Sequence, residues 1–213
     1  MRLLFFLLLV LPLSAQAWDI RFEAPLFSGK NLPTTLVSGT GQLTTGKLDS
    51  TKGGILSVNH RMIRLSPLFR LEWGAEINQW DSSGFVRQDS ITLNSSFKQV
   101  GGGVGLNAQL WIPFTGLCAE IAVIQRLQQY KYSTDNFDSH KSTESTTWLR
   151  FGLRWRLPFV PILHPYVAAS YQQPVSDHQP VRVNSIDNLA DYFIDGSGKD
   201  TQKLWTFGVG ITF

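Results

Sequence analysis

The segment LWTFGVGITF, Leu204 to Phe213, sets Trp205, Phe207, Val209, Ile211 and Phe213 on every second position. Leu204, Thr206, Gly208, Gly210 and Thr212 fill the gaps. A period of two describes an extended strand with one apolar face and one small or polar face. In water such a strand is a pairing hazard. A strand whose apolar face meets lipid, and whose edges close a barrel, has a physical reason to look like this.

The opposite end of the chain agrees. Arg2 precedes the apolar run Leu3 to Leu13, broken only by Pro12, and Ser14-Ala15-Gln16-Ala17 supplies the small residues that a signal peptidase reads. Residues 1–17 are expected to be a secretory signal peptide cut near Ala17, leaving residues 18–213 as one domain. The run is too short for a retained anchor, which needs about 20 apolar residues to span. No Cys follows it for lipid attachment, and no Arg-Arg pair precedes it. From Trp18 onward no apolar run is long enough for a membrane helix. An exported chain can still span a membrane as a closed sheet, because closure satisfies every backbone group. Composition does not oppose this, since barrel strands are apolar on alternate residues only. The single cysteine, Cys118, excludes an intrachain disulfide and reads as a small buried strand residue. A net charge of +3, to which Arg2 contributes, is too small to imply nucleic acid.

Alternation recurs along the mature chain. In the first candidate strand, Trp18 to Leu26, Trp18, Ile20, Phe22 and Ala24 oppose Asp19, Arg21 and Glu23. The second runs from about Gly54 to Leu65 and turns at Ser66-Pro67. In the third, Leu68 to Trp80, the row Phe69, Leu71, Trp73, Ala75, Ile77 alternates with Arg70, Glu72, Gly74, Glu76, Asn78. The fourth, Gln99 to Ile112, sets Val104, Leu106, Ala108 and Leu110 against Gly103, Gly105, Asn107, Gln109 and Trp111; Pro113 to Gly116 form a turn. The fifth, Leu117 to Tyr132, carries Leu117, Ala119, Ile121 and Val123 opposite Cys118, Glu120 and Ala122. The sixth, Thr147 to Leu157, sets Leu149, Phe151, Leu153 and Trp155 against Trp148, Arg150, Gly152, Arg154 and Arg156, ahead of a turn at Pro158 to Pro161. The seventh, His164 to Gln172, leaves its facing open because Tyr166 and Val167 compete; the terminal segment is the eighth. Connections 27–53, 81–98, 133–146 and 173–203 are long and polar, and those between them are short. Long loops on one rim and tight turns on the other, with both termini on the turn side, describe an all-β, closed antiparallel eight-stranded up-and-down transmembrane β-barrel.

On these features (signal peptide, alternating strands, loop asymmetry and a terminal strand ending at Phe213) the chain resembles the small eight-stranded outer-membrane barrels. That group contains the OmpA transmembrane domain, OmpX-like proteins and neisserial opacity proteins. The resemblance covers residues 18–213 at the level of architecture. It implies residence in the outer membrane of a Gram-negative-type bacterium, contact with outer-membrane lipid and lipopolysaccharide, and handling by the barrel-assembly machinery. In that group a C-terminal aromatic belongs to the assembly signal; by resemblance Phe213 serves so, with Trp205, Phe207 and Ile211 behind it.

The residues able to carry chemistry follow from the faces. Glu72, Glu76 and Glu120 share the inward rows with Arg70, Arg150, Arg154 and Arg156, and Arg61 and Arg126 stand near them. In a narrow barrel such side chains fill the interior and must pair, because an unpartnered buried charge is costly. A structural ionic network is therefore expected, rather than a proton path or a pore. Trp18, Trp73, Trp80, Trp155, Tyr166, Tyr171 and Trp205 at strand ends suit interfacial girdles, while Trp111 and Trp148 suit the ends of the lumen. His140, Ser142 and nearby Glu144 have the His-x-Ser spacing of outer-membrane lipid A deacylases and phospholipases, but they fall in a polar loop and resemble those sites only in spacing. His60 with Ser57 is weaker, since the two fall on opposite faces. The run Gly101 to Gly105 lacks the Lys-Ser/Thr and the helix of a phosphate loop. No metal-ligand spacing and no cofactor motif is present. The expectation is a non-enzymatic barrel with a structural or surface-interaction role through its loops, toward an extracellular ligand the sequence does not name. A lipid-modifying enzyme of the same architecture and a soluble lipocalin-like periplasmic binder are the alternatives; the binder requires the opposite facing of every strand.

Overall fold

A computed structural model describes residues 18–26, 30–32, 34–36, 45–88, 91–135, 140–157, 163–175, 182–183, 192–194 and 203–213. Among them, eight strands form one sheet that closes on itself, and a three-residue strand, Lys30–Leu32, adds to it antiparallel to Gly46–Leu48. The eight are β1 (Trp18–Pro25), β2 (Thr45–Arg64), β3 (Phe69–Gln88), β4 (Ile91–Trp111), β5 (Leu117–Thr134), β6 (His140–Arg156), β7 (His164–Pro174) and β8 (Leu204–Thr212). Each strand runs antiparallel to its neighbours. Strand β1 makes the closure: Ile20 lies opposite Ile211 of β8 on one side and Val58 of β2 on the other. Trp18 and Phe213 exchange two backbone hydrogen bonds of 3.0 Å, so both ends of the sheet meet on the turn rim. Residues 1–17, read as the signal peptide, and the turn at Pro158 to Pro161 lie outside the described residues, save Leu157 and Leu163 that flank that turn.

Local chemistry explains the tight rim. After β2, the Ser66 hydroxyl accepts hydrogen bonds from the backbone N–H groups of Leu68 (3.2 Å) and Phe69 (3.0 Å). After β4, Thr115 donates to the Ile112 carbonyl at 3.0 Å and accepts from the Leu117 N–H at 3.1 Å. Gly116 there holds φ +72°, a left-handed conformation that costs glycine little.

The faces follow the alternation. Outward stand Ile77, Val104, Leu153 and Val209, each more than half exposed, while Arg21, Arg126, Gln128 and Gln172 are fully buried inside. The sheet is apolar outside and charged inside, the reverse of a soluble barrel. The facing of β7 is settled as well: Tyr166, Ala168, Ser170 and Gln172 point inward. Tyr166 wins over Val167 because its hydroxyl needs a partner, which Asp19 supplies at 2.8 Å, whereas valine is at home on an apolar surface.

Strand lengths depart from expectation. Strands β2, β3 and β4 run 20, 20 and 21 residues, about twice what a tilted spanning strand requires. Segments 81–98 and 133–146, expected as loops, are largely strand: Gln88 pairs with Ile91, and β5 and β6 stay paired to Tyr132 and His140. These extensions mix Ser, Thr, Asn and Lys with Phe85, Ile91, Leu93 and Phe97, so the long apolar row is lost while the ladder continues. Cross-strand hydroxyl pairs stitch them, Ser50 to Ser83 at 2.7 Å and Ser96 to Ser133 at 2.8 Å. On the same side, Thr34–Leu36, Tyr192–Ile194 and Arg182–Val183 form a small separate sheet that joins the first connection to the last.

Candidate functional site

The barrel interior concentrates the chain's chemistry. Strand β1 supplies Asp19, Arg21 and Glu23, β3 supplies Glu72 and Glu76, β5 supplies Glu120 and Arg126, and β6 supplies Arg150 and Arg154, all of them buried. Within each strand the members are an even number of residues apart, which places them on one face.

Glu120 sits at the centre, accepting from Arg21 Nη1 and, at 2.5 Å, from Arg154 Nε. The other end of Arg154 donates to Asp19 at 2.9 Å. Asp19 also accepts from Tyr166, from Thr212 (3.1 Å) and from Asn59 (3.2 Å). A second group forms on Glu76, which accepts from Arg126 Nε at 2.5 Å and Arg150 Nη1 at 3.2 Å; Arg126 donates onward to Gln172 at 2.6 Å. Glu23 bridges the two, lying 3.6 Å from Arg150 and 3.7 Å from Arg21 while Ser170 donates to it at 2.7 Å. Glu72 accepts from Gln109 at 2.6 Å and stands 4.0 Å from Arg154.

Small residues make room for this network. A Cβ on Gly152 would stand 2.8 Å from Glu120 Cγ, and one on Gly210 would strike the Tyr166 ring. Packing is tight enough that the void lined by Glu76, Asn107 and Arg150 measures about 10 Å³, at the lower limit for one water. Toward the loop rim, Ile55, Trp80 and Leu204 pack together inside, and the Arg126 guanidinium lies 4.4 Å from the centre of the Trp148 ring. Toward the turn rim, Trp111 lies beneath Arg70 and Arg156. An interior of this kind cross-links the strands: the guanidinium groups of Arg21, Arg126, Arg150 and Arg154 each face a carboxylate of another strand, although Arg21 Nε and Nη2, Arg126 Nη1 and Arg150 Nε make no hydrogen bond.

The structure brings together Glu72, Glu76, Glu120, Arg150 and Arg154 of the expected network; of the two arginines expected beside it, Arg126 joins through Glu76 and Arg61 makes no ion pair among the described residues. Arg70 and Arg156 face inward but leave the carboxylates to others and stack on Trp111. Asp19, Arg21 and Glu23 were legible as a polar face of the first strand, yet their place in the network rests on closure against β8 and β2, which sequence alone does not measure. Trp80 and Tyr166, expected in the girdles, are buried inside. Trp18, Trp73 and Trp155 remain outward near the turn rim, and Trp205 lies against Tyr171 with ring centres 5.0 Å apart near the other. Phe207, Ile211 and Phe213 lie outward with Trp205 along the terminal row.

His140, Ser142 and Glu144 belong to strand β6 and not to a loop, opposite Tyr132, Tyr130 and Gln128. Backbone alternation puts these positions at the same register parity as Thr146, Trp148 and Arg150. Glu144 is half-buried, and burial raises its carboxyl above the ordinary value. No group of three or more metal-ligating side chains occurs among the described residues.

A hollow of about 530 Å³ lies outside the wall, bordered by Ile20, Phe22, Val209, Ile211 and Phe213 with Leu163. Its border is apolar.

No family model matches the chain, and no curated protein matches it significantly. Solved structures do. Ail, the attachment invasion locus protein of Yersinia pestis, is 13% identical with a TM-score of 0.43, covering 92% of this chain and 97% of that one. Neisserial surface protein A is 12% identical with a TM-score of 0.45, covering 92% and 97%. The outer membrane protease OmpT of Escherichia coli is 8% identical with a TM-score of 0.47, covering 94% and 98%. The chain's own strands, closed as described, give it the architecture of the small eight-stranded outer-membrane barrels.

Proposed function

We propose that the protein is an integral outer-membrane barrel that holds its outer connections on a rigid frame for contact at the cell surface. The observation that carries this reading is the inverted facing: apolar side chains on the outer rows, charges on the inner ones. Only a surrounding that is itself apolar makes such a surface stable. The Trp18, Trp73 and Trp155 set at one level and Trp205 with Tyr171 at the other support two interfaces with a lipid core between them. Support for surface contact comes from the β2–β6 wall, which continues past the apolar band, and from the small sheet tying the first and last connections together. The role is that of a scaffold for loops and not of a catalyst.

Fractionation tests the reading. The full chain is expected in the outer-membrane fraction, migrating faster on a denaturing gel unheated than after boiling. Recovery in the soluble periplasmic fraction, without heat-modifiable migration, contradicts it.

A further inference from the structure

We propose that the turn-side mouth of the barrel is a phosphate-binding site, formed by Arg61, Arg64, Arg70 and Arg156 around Trp111. A bulge builds half of it. Arg61 lies opposite Glu72 and Arg64 opposite Arg70, with the register slipping between Arg61 and Ile63. The extra residue returns Arg64 to the inward row that Arg61 already occupies. Alternation then brings Arg70 from β3, Trp111 from β4 and Arg156 from β6 to the same mouth. The guanidinium carbons of Arg70 and Arg156 stand 4.7 Å and 4.5 Å from the centre of the one Trp111 ring. Arg61, Arg70 and Arg156 are half-buried, and Arg64 is exposed.

These four arginines have no ion-pair partner among the described residues. The carboxylates of the layer below have partners of their own: Glu120 is held by Arg21 and Arg154, and Asp19 by Arg154 at 2.9 Å. Glu72 is held by Gln109 at 2.6 Å, although Arg61 faces it directly across the ladder. The Nε atoms of Arg61 and Arg70 are buried and have no hydrogen-bond partner. Like charges gathered at one opening repel, and buried donors without acceptors are unfavourable. An oxyanion relieves both. A phosphate group fits this mouth better than a carboxylate, because it offers more oxygens to guanidinium forks and a larger opposing charge. A phospholipid headgroup at the membrane edge and a soluble phosphate compound present the same chemistry.

Calorimetry on the full chain refolded in zwitterionic micelles, titrated with pyrophosphate at low ionic strength, tests the site. A parallel arm compares retention of phosphatidylglycerol and phosphatidylcholine by native mass spectrometry. One saturable pyrophosphate site is expected, weakened by salt as a half-exposed charge cluster must be. The double variant Arg70→Gln, Arg156→Gln should lose affinity by about tenfold or more while keeping heat-modifiable migration, and the matching lysine pair should recover part of it. If the glutamine pair fails to refold, Arg64→Gln, at an exposed position, should still weaken binding by about threefold. Retention of phosphatidylglycerol alone, lost in the same variants, supports the site with the headgroup as source. Absence of saturable binding in both arms, or equal binding in wild type and variants, overturns the proposal. The micelle measurement does not depend on outer-membrane residence, so failure here leaves the fractionation result standing.

Discussion

Arginine stands in two layers of this barrel under opposite terms. In the middle, Arg21, Arg126, Arg150 and Arg154 are buried and each meets a carboxylate from another strand. At the turn-side mouth, Arg70 and Arg156 stack on the ring of Trp111, Arg64 lies opposite Arg70, and Arg61 shares their row. The difference teaches that charge inside a narrow barrel is not one thing. Where every guanidinium is answered by a carboxylate, it locks the wall; where it is not, it is available to something else.

The largest effect should come from unbalancing the middle layer. Glu120→Ala leaves Arg21 and Arg154 without their shared partner, and loss of one partner of a buried pair costs about 3–5 kcal/mol. Urea unfolding in micelles should show it. Filling the space beside Glu120 comes next: Gly152→Leu forces atoms where Glu120 already stands, a strain of about 1–3 kcal/mol, read in the same assay. The mouth should behave differently. Arg70→Gln with Arg156→Gln loses two ring contacts, worth about 0.5–1 kcal/mol each at such sites, but relieves like-charge crowding, so stability should move by less than about 1 kcal/mol. A loss as large as that of Glu120→Ala would erase the contrast between the layers. Smaller still, Ser82→Ala in the strand extension removes one hydroxyl pair with Thr51 at 3.0 Å and should change stability by about 0.5–1 kcal/mol. Finally, acyl-hydrolase assays should find no difference among wild type, His140→Ala and Ser142→Ala; hydrolysis lost in both variants would restore the enzymatic alternative.

The sequence was most readable where one face met lipid and the other did not. Phe69 to Asn78 and Leu204 to Thr212 alternate cleanly, and their facing in the barrel is the one the pattern implies. Legibility failed where that contrast ends. Ser82, Ser96 and Ser133 lie in strands, but their neighbours are mostly polar, so the period marks them only weakly. The ionic network was half legible: Glu72 and Glu120 fall on an obvious inward row, while the choice of Arg154 over Arg156 as their partner depends on depth along the axis, which a repeat of two does not encode. The bulge between Arg61 and Ile63 was equally invisible, since one inserted residue reverses the facing of all that follows it. No residue type announces such an insertion.

The facing of the wall is the claim on which the rest depends, and a nitroxide scan along β4 measures it. With Cys118 replaced by serine, labels at Lys98, Val100, Val104, Leu106 and Leu110 sample one outward row in bilayers. Contact with oxygen but not with a water-soluble nickel complex is expected from Val100 to Leu110, with the nickel complex reaching Lys98. Nickel access along the whole row, or lipid-like access at the inward positions Asn107 and Gln109 instead, would contradict the account.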